Sequence, residues 1–191
     1  MKRDELTAAV ADATYLRGLI VLPIGGLFLL TGLGNLGWRP LASPWTFGPC
    51  VLLLALAVWR IQVYYNDTFG RVRPSRRMQV AYTGASVALA AALVGGSIVD
   101  FNTDWPVSVF AMAFGAAMLL SFHLYTGLKQ HQVMIWGALL VIGILPVWGS
   151  FHDRASVAWL PIGIATIVAG LLDHRLLVRQ SLARELEGAA A

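Results

Sequence analysis

The sequence predicts an all-α integral membrane protein: a bundle of six transmembrane helices in three helical hairpins, with both termini cytoplasmic. Three observations carry that prediction. Of the 191 residues, 58% are hydrophobic and only 13% charged, and the mean hydropathy of +0.69 lies outside the balance of a soluble domain. Six apolar runs follow one another, separated by short stretches rich in Trp, Pro and charge. The basic residues also segregate: with both ends inside, twelve of the fourteen Lys and Arg fall on the cytoplasmic side, leaving Arg39 and Arg154 outside.

Residues 1–17 mix Leu6, Val10 and Tyr15 with Lys2, Arg3, Asp4, Glu5 and Asp12. That is the pattern of a cytoplasmic amphipathic segment lying along the membrane. The acidic residues ahead of the first apolar run argue against a cleavable signal peptide. Span one, 18–36, carries Pro23, Gly25, Gly26, Gly32 and Gly34, which predict a kink and a close helix contact.

Trp38-Arg39-Pro40 and Pro44-Trp45 predict an interfacial turn into span two, 45–65. Near its end Arg60, Tyr64 and Asp67 share one helical face. The basic loop Arg71 to Arg77 leads to span three, 78–99, whose Ala, Gly and Ser content predicts a place at the bundle centre.

Asp100 to Asp104 reads as a short, solvated acidic loop before span four, 105–127, with His123 and Tyr125 at its far end. Lys129 and His131 mark a tight turn, and span five covers 132–148. A second loop, Ser150 to Arg154 with His152 and Asp153, reads as solvated and leads to span six, 159–179, opening at Trp159 and Pro161. A helix from Pro161 to Glu187 would measure roughly 40 Å, more than a hydrocarbon core of about 30 Å. Its excess is expected in the cytoplasm, with 180–191 as a tail.

The returning spans begin near Trp45, Trp105 and Trp159, 60 and then 54 residues apart, each beside a proline. A degenerate repeat of a two-helix unit is one reading. Ordinary interfacial anchoring is the other.

Functional residues are sought where charge meets apolar chain, because ionisable groups at membrane depth are costly and usually kept for a pathway, relay or partner. Asp173 and His174 interrupt span six, Arg60 and Tyr64 lie near the end of span two, and His123 ends span four. These five are the candidate ligand-binding or proton-coupling residues. Counted from Pro49 and Pro161, Arg60 and Asp173 reach similar depths of about 17 and 18 Å, so an Arg60–Asp173 ion pair is expected. The competing reading lets the arginines snorkel to the headgroups.

A net charge of +4 raises nucleic acid as a partner, but the segregation of basic residues is explained by topology and no nucleic-acid partner is expected. One cysteine, Cys50, excludes an internal disulfide and a cysteine-based metal motif. Neither a zinc-type histidine spacing nor a nucleophile elbow is present, so no catalytic residue, metal or cofactor is predicted.

The expected function is a small transport or ligand- or pH-sensing module with a polar cluster in the cytoplasmic third of the membrane. The alternatives are a non-catalytic structural or regulatory partner of another membrane protein, and an intramembrane enzyme acting on a lipid head group. Expected partners are the lipid bilayer and either a second copy or another membrane protein. Arginine in excess of lysine beside abundant alanine suits a GC-rich bacterium, which places the chain in an inner (plasma) membrane.

Overall fold

The computed structural model describes residues 17–38, 43–69, 76–125, 127–148 and 151–189. The amphipathic segment expected over 1–17 lies outside the described residues except for Arg17, as do positions 39–42 of the interfacial turn and 71–75 of the basic loop.

The described chain is helical, with no strand among the described residues. A short 3-10 turn, Gly18–Val21, leads into α1, Leu22–Asn35; α2 covers Pro44–Thr68, α3 Arg76–Asn102, α4 Val109–Tyr125, α5 Gln130–Ile144 and α6 Phe151–Ala189. Four stretches are long and apolar enough to cross a membrane: Gly18–Asn35, Pro44–Thr68, Thr83–Asn102 and Arg154–Leu182. α4 and α5 are also apolar but shorter.

Span two begins within a residue of its expected start, since α2 opens at Pro44, whereas the start expected for span six at Trp159 and Pro161 moves to Phe151. Pro49 and Pro161 both lie inside their helices. Proline is tolerated within membrane helices because neighbouring groups take over the hydrogen bonding it forfeits. The segment 151–154, expected as loop, is therefore the first turn of α6, and that helix runs 39 residues, or about 58 Å. It exceeds a bilayer core and carries on as helix through most of the expected tail.

The helix at the centre is α6 and not α3. Half of the membrane-length window of α6 is buried inside the protein, against about a tenth of that in α3, where Val80, Val87, Val94 and Ile98 point outward. Small residues did mark close contacts, but on other helices. Gly25 of α1 and Gly163 of α6 face one another so closely that a Cβ on Gly163 would stand 2.8 Å from the Gly25 carbonyl oxygen. Gly18, in the 3-10 turn before α1, meets Gly170 in the same way, seven residues along from each of those glycines. Backbone thus lies on backbone along the α1–α6 crossing, the contact that small-residue spacing makes available in lipid.

α4 and α5 close the other side of α6. Phe110, Phe114, Trp136, Leu139, Ala158 and Ile162 form the apolar core, with Phe28 of α1 packed edge-on against Phe114. α3 lies along α4, where Gly96 meets the backbone of Phe110. α2 packs along α1 and the 3-10 turn, buries Tyr65 near its end and turns most of its remaining length outward. The helices therefore do not pack as three equivalent hairpins.

One end of this bundle is closed by backbone capping. Asp100, 2% exposed, accepts hydrogen bonds from the backbone N–H of Val109 (2.7 Å) and of Phe110 (3.1 Å) and from Ser108 Oγ (3.1 Å). It caps the positive N-terminus of α4. Arg154, 4% exposed, donates to the carbonyl oxygens of Thr103 (2.8 Å) and Trp105 (2.7 Å), and its second nitrogen donates to Asp100 O (3.3 Å). It closes the carbonyl end of α3. The reading of Asp100 as part of a solvated loop is corrected here: an unpaired helix end inside the protein would be costly, and Asp100 fills it. Asp104 does stay exposed, 3.9 Å from Arg154.

Candidate functional site

The opposite end holds a second buried polar group of residues, and α6 organises it. Asp173 and His174 occupy adjacent positions, so their side chains leave the helix about 100° apart. Each reaches a different neighbour.

Asp173 turns toward α5. It is 4% exposed, and its Oδ1 lies 2.8 Å from His131 Nε2 and 3.0 Å from Gln132 Nε2. The donors can be assigned from the network. Gln132 Oε1 accepts the backbone N–H of Lys129 at the start of α5 (3.2 Å), which orients the amide and leaves its NH2 facing the carboxylate. Oδ1 accepts from Gln132, and with Asp173 ionised His131 Nε2 carries the proton and donates to the same oxygen. His131 keeps 22% of its side chain exposed, so this pair stands at the edge of the bundle and not at its dry centre.

His174 turns toward α2. Its Nδ1 lies 2.9 Å from the hydroxyl of Tyr65, a fully buried residue. That hydroxyl also accepts the backbone N–H of Leu19, at 3.1 Å, in the 3-10 turn that opens α1. Arg17 covers the ring, its guanidinium carbon 5.6 Å from the centroid, and donates to Asn66 Oδ1 at 3.3 Å. Leu177, Leu19, Ile20, Ile61 and Phe69 pack around Tyr65. One turn of α6 therefore binds the start of α1, the end of α2 and the start of α5.

Of the five residues predicted from sequence, Asp173 and His174 are in this junction. Tyr64 borders it, its ring centroid 6.5 Å from that of His174, while 44% exposed. Arg60 and His123 are not brought in. Both are exposed, and the Arg60 guanidinium lies 5.6 Å over its neighbour Trp59. The expected Arg60–Asp173 ion pair is not formed. Depth was counted from prolines that sit inside their helices, and Arg60 lies on the outward face of α2.

Five members of the junction were missed as site residues: Arg17, Tyr65, Asn66, His131 and Gln132. The available signal was position. His131 and Gln132 open α5 immediately after a tight turn, so an antiparallel α5–α6 pair brings them level with the polar end of α6. Among the described residues, no group of three or more His, Cys, Asp or Glu side chains converges as a metal site.

No family model matches the chain, and no curated protein or solved structure matches it. The reading of function therefore rests on this geometry.

Proposed function

We propose that the protein is a multi-pass membrane module whose six helices cross an inner (plasma) membrane with both termini cytoplasmic, and that it senses protonation through the Asp173–His174 junction. The observation that carries this is that two neighbouring residues of one central helix bind two histidine-containing contacts, His131–Asp173 and His174–Tyr65, that hold different helices. Imidazole is the side chain that titrates near neutral pH.

Protonation acts differently at the two contacts. Neutral His131 donates Nε2–H to the Asp173 carboxylate, and gaining a proton on its other nitrogen turns the same hydrogen bond into an ion pair, tightening α5 on α6. In the His174 tautomer whose Nδ1 accepts from the Tyr65 hydroxyl, a proton on Nδ1 turns that acceptor into a donor. Tyr65 must then accept a second hydrogen bond and turn its own O–H away, which loosens the existing arrangement of α2, α1 and α6. The charged and titratable groups around these contacts are Arg17 and Tyr64 beside Tyr65, Lys129 at the start of α5, and Arg175 next along α6.

Support for the topology comes from the bundle's two ends. α4 and α5 lie between the same ends as α3 and α6, and counting six spans with both termini inside makes twelve of the fourteen Lys and Arg of the sequence cytoplasmic. The directly bonded, closed junction suits sensing better than conduction. A second reading, a non-catalytic partner of another membrane protein, is favoured by α2, which turns Trp45, Leu52, Leu56 and Trp59 outward along one face.

The test uses the full chain in nanodiscs, with Cys50→Ser and spin labels at the outward-facing Gln62 and Met134. The inter-label distance is expected to change between about pH 5 and 8 and to stop changing when His131→Gln and His174→Gln are combined. An unchanged wild-type distance across that range, or the same change in the double variant, sinks the sensing reading.

A further inference from the structure

We propose that the groove between α5 and α6 seats one acyl chain of an anionic phospholipid, whose head group meets Arg175 and Arg179. The inference deepens the sensing reading by naming a ligand class, and it rests on α6 crossing the membrane with its Asp173 end at the cytoplasmic leaflet.

The groove has a volume of about 550 Å³ and is lined by apolar side chains, among them Ile135, Ala138 and Ile142 of α5 and Ile164, Ala165 and Val168 of α6. That size falls in the range of small-molecule sites, about 300–1,000 Å³, and suits a chain better than a helix about 10 Å across. Its direction is set by helical spacing. On α5, one turn back from Ile135 is His131, the partner of Asp173. On α6 the outward positions Ile164, Val168 and Leu171 continue, at the same three- and four-residue steps, into the exposed Arg175 and Arg179.

A single stripe of α6 thus changes from apolar to basic at the level of Asp173. Ile164 to Arg175 is a rise of about 16 Å, about one leaflet of a core about 30 Å thick, and the lining continues past Ile164 to Val157, so a chain anchored at Arg175 fills the part of the groove nearer Asp173. Charge selects the occupant. Two exposed arginines about two and three helical turns beyond Val168, where the groove's lining on α6 ends, complement a negative head group, whereas a zwitterionic lipid gains little from them. A chain lying there rests against the two helices that His131 and Asp173 join, so head-group binding and the protonation of that contact act on the same crossing.

The full-length protein in phosphatidylcholine nanodiscs, with a minor fraction of phosphatidylglycerol bearing a photoreactive diazirine on its chain, tests this by mapping cross-links on α5 and α6. Labelling is expected within 135–142 and 164–168, competed by unlabelled phosphatidylglycerol and not by phosphatidylcholine. It should fall about fivefold for each of Arg175→Gln and Arg179→Gln and vanish from the groove in Ala138→Trp. The two arginines are exposed, so their variants read the site even if the tryptophan variant fails to fold. Equal competition by phosphatidylcholine, or labelling indifferent to both arginine variants, overturns the proposal. Inter-label distances in discs of phosphatidylcholine alone separate it from the sensing reading: head-group-selective labelling without a pH response overturns sensing only, and a pH response without head-group selectivity overturns this site only.

Discussion

His131 Nε2 stands 2.8 Å from Asp173 Oδ1, across the crossing of α5 with the central helix, and Gln132 donates to the same oxygen. The carboxylate is buried and carries two donors, so its neighbours depend on it as much as it depends on them.

Truncating it should therefore cost more than neutralising it. Asp173→Ala leaves the Gln132 amide without an acceptor in a buried site and is expected to destabilise by about 2 kcal/mol. Asp173→Asn retains an acceptor oxygen and should cost less than half of that. Arg60→Gln, on the outward face of α2, should stay within about 0.5 kcal/mol. Thermal unfolding in one detergent ranks the three, and an Arg60→Gln loss equal to that of Asp173→Ala would restore the ion pair rejected above.

Tyr65 and Tyr64 are adjacent and chemically identical, yet only the Tyr65 hydroxyl holds both Leu19 N–H and His174 Nδ1. Tyr65→Phe is expected to cost about 1–2 kcal/mol and to speed amide exchange at Leu19. Tyr64→Phe should leave that exchange rate unchanged. Equal effects of the two changes would mean that the hydroxyl does not cap α1.

The α1–α6 crossing admits no side chain at its glycines. A Cβ on Gly163 would stand 2.7 Å from Leu29 Cγ and 2.8 Å from Gly25 O, so Gly163→Val should force the helices apart and cost about 3 kcal/mol or more. At Gly137 nothing lies within 4 Å of an added Cβ. Gly137→Ala should then be neutral or stabilise by up to about 1 kcal/mol through helix propensity. Unfolding midpoints for the two variants should move in opposite directions or differ by the full clash.

At the other end, Arg154 spreads two nitrogens over three carbonyl groups. Lysine has no such planar fork. Arg154→Lys should lose most of the clamp, and Arg154→Met should cost about 3 kcal/mol or more by leaving the carbonyl end of α3 uncapped. Hydrogen exchange should rise at 100–110 in both variants while the Asp173 end stays protected. Uniform loss of protection along the chain would show that the two ends are not separable.

The sequence by itself determined the helical class and the apolar stretches, since a lipid core leaves the backbone no partner but itself and so writes hydropathy directly into the chain. It also marked Asp173 and His174, because a charge within an apolar run is visible without knowing its neighbours. Only the tertiary structure decided what those two residues touch. Partner choice depends on the azimuth of each helix and on where each helix begins, and the proline inside α6 hid one of those beginnings. Thus Arg60 turned outward, while His131, Gln132 and Tyr65, unremarkable at helix ends, became the contacts. Burial was equally illegible at Asp100 and Arg154: a charged residue near a loop reads as solvated until the helix termini it caps are brought together around it.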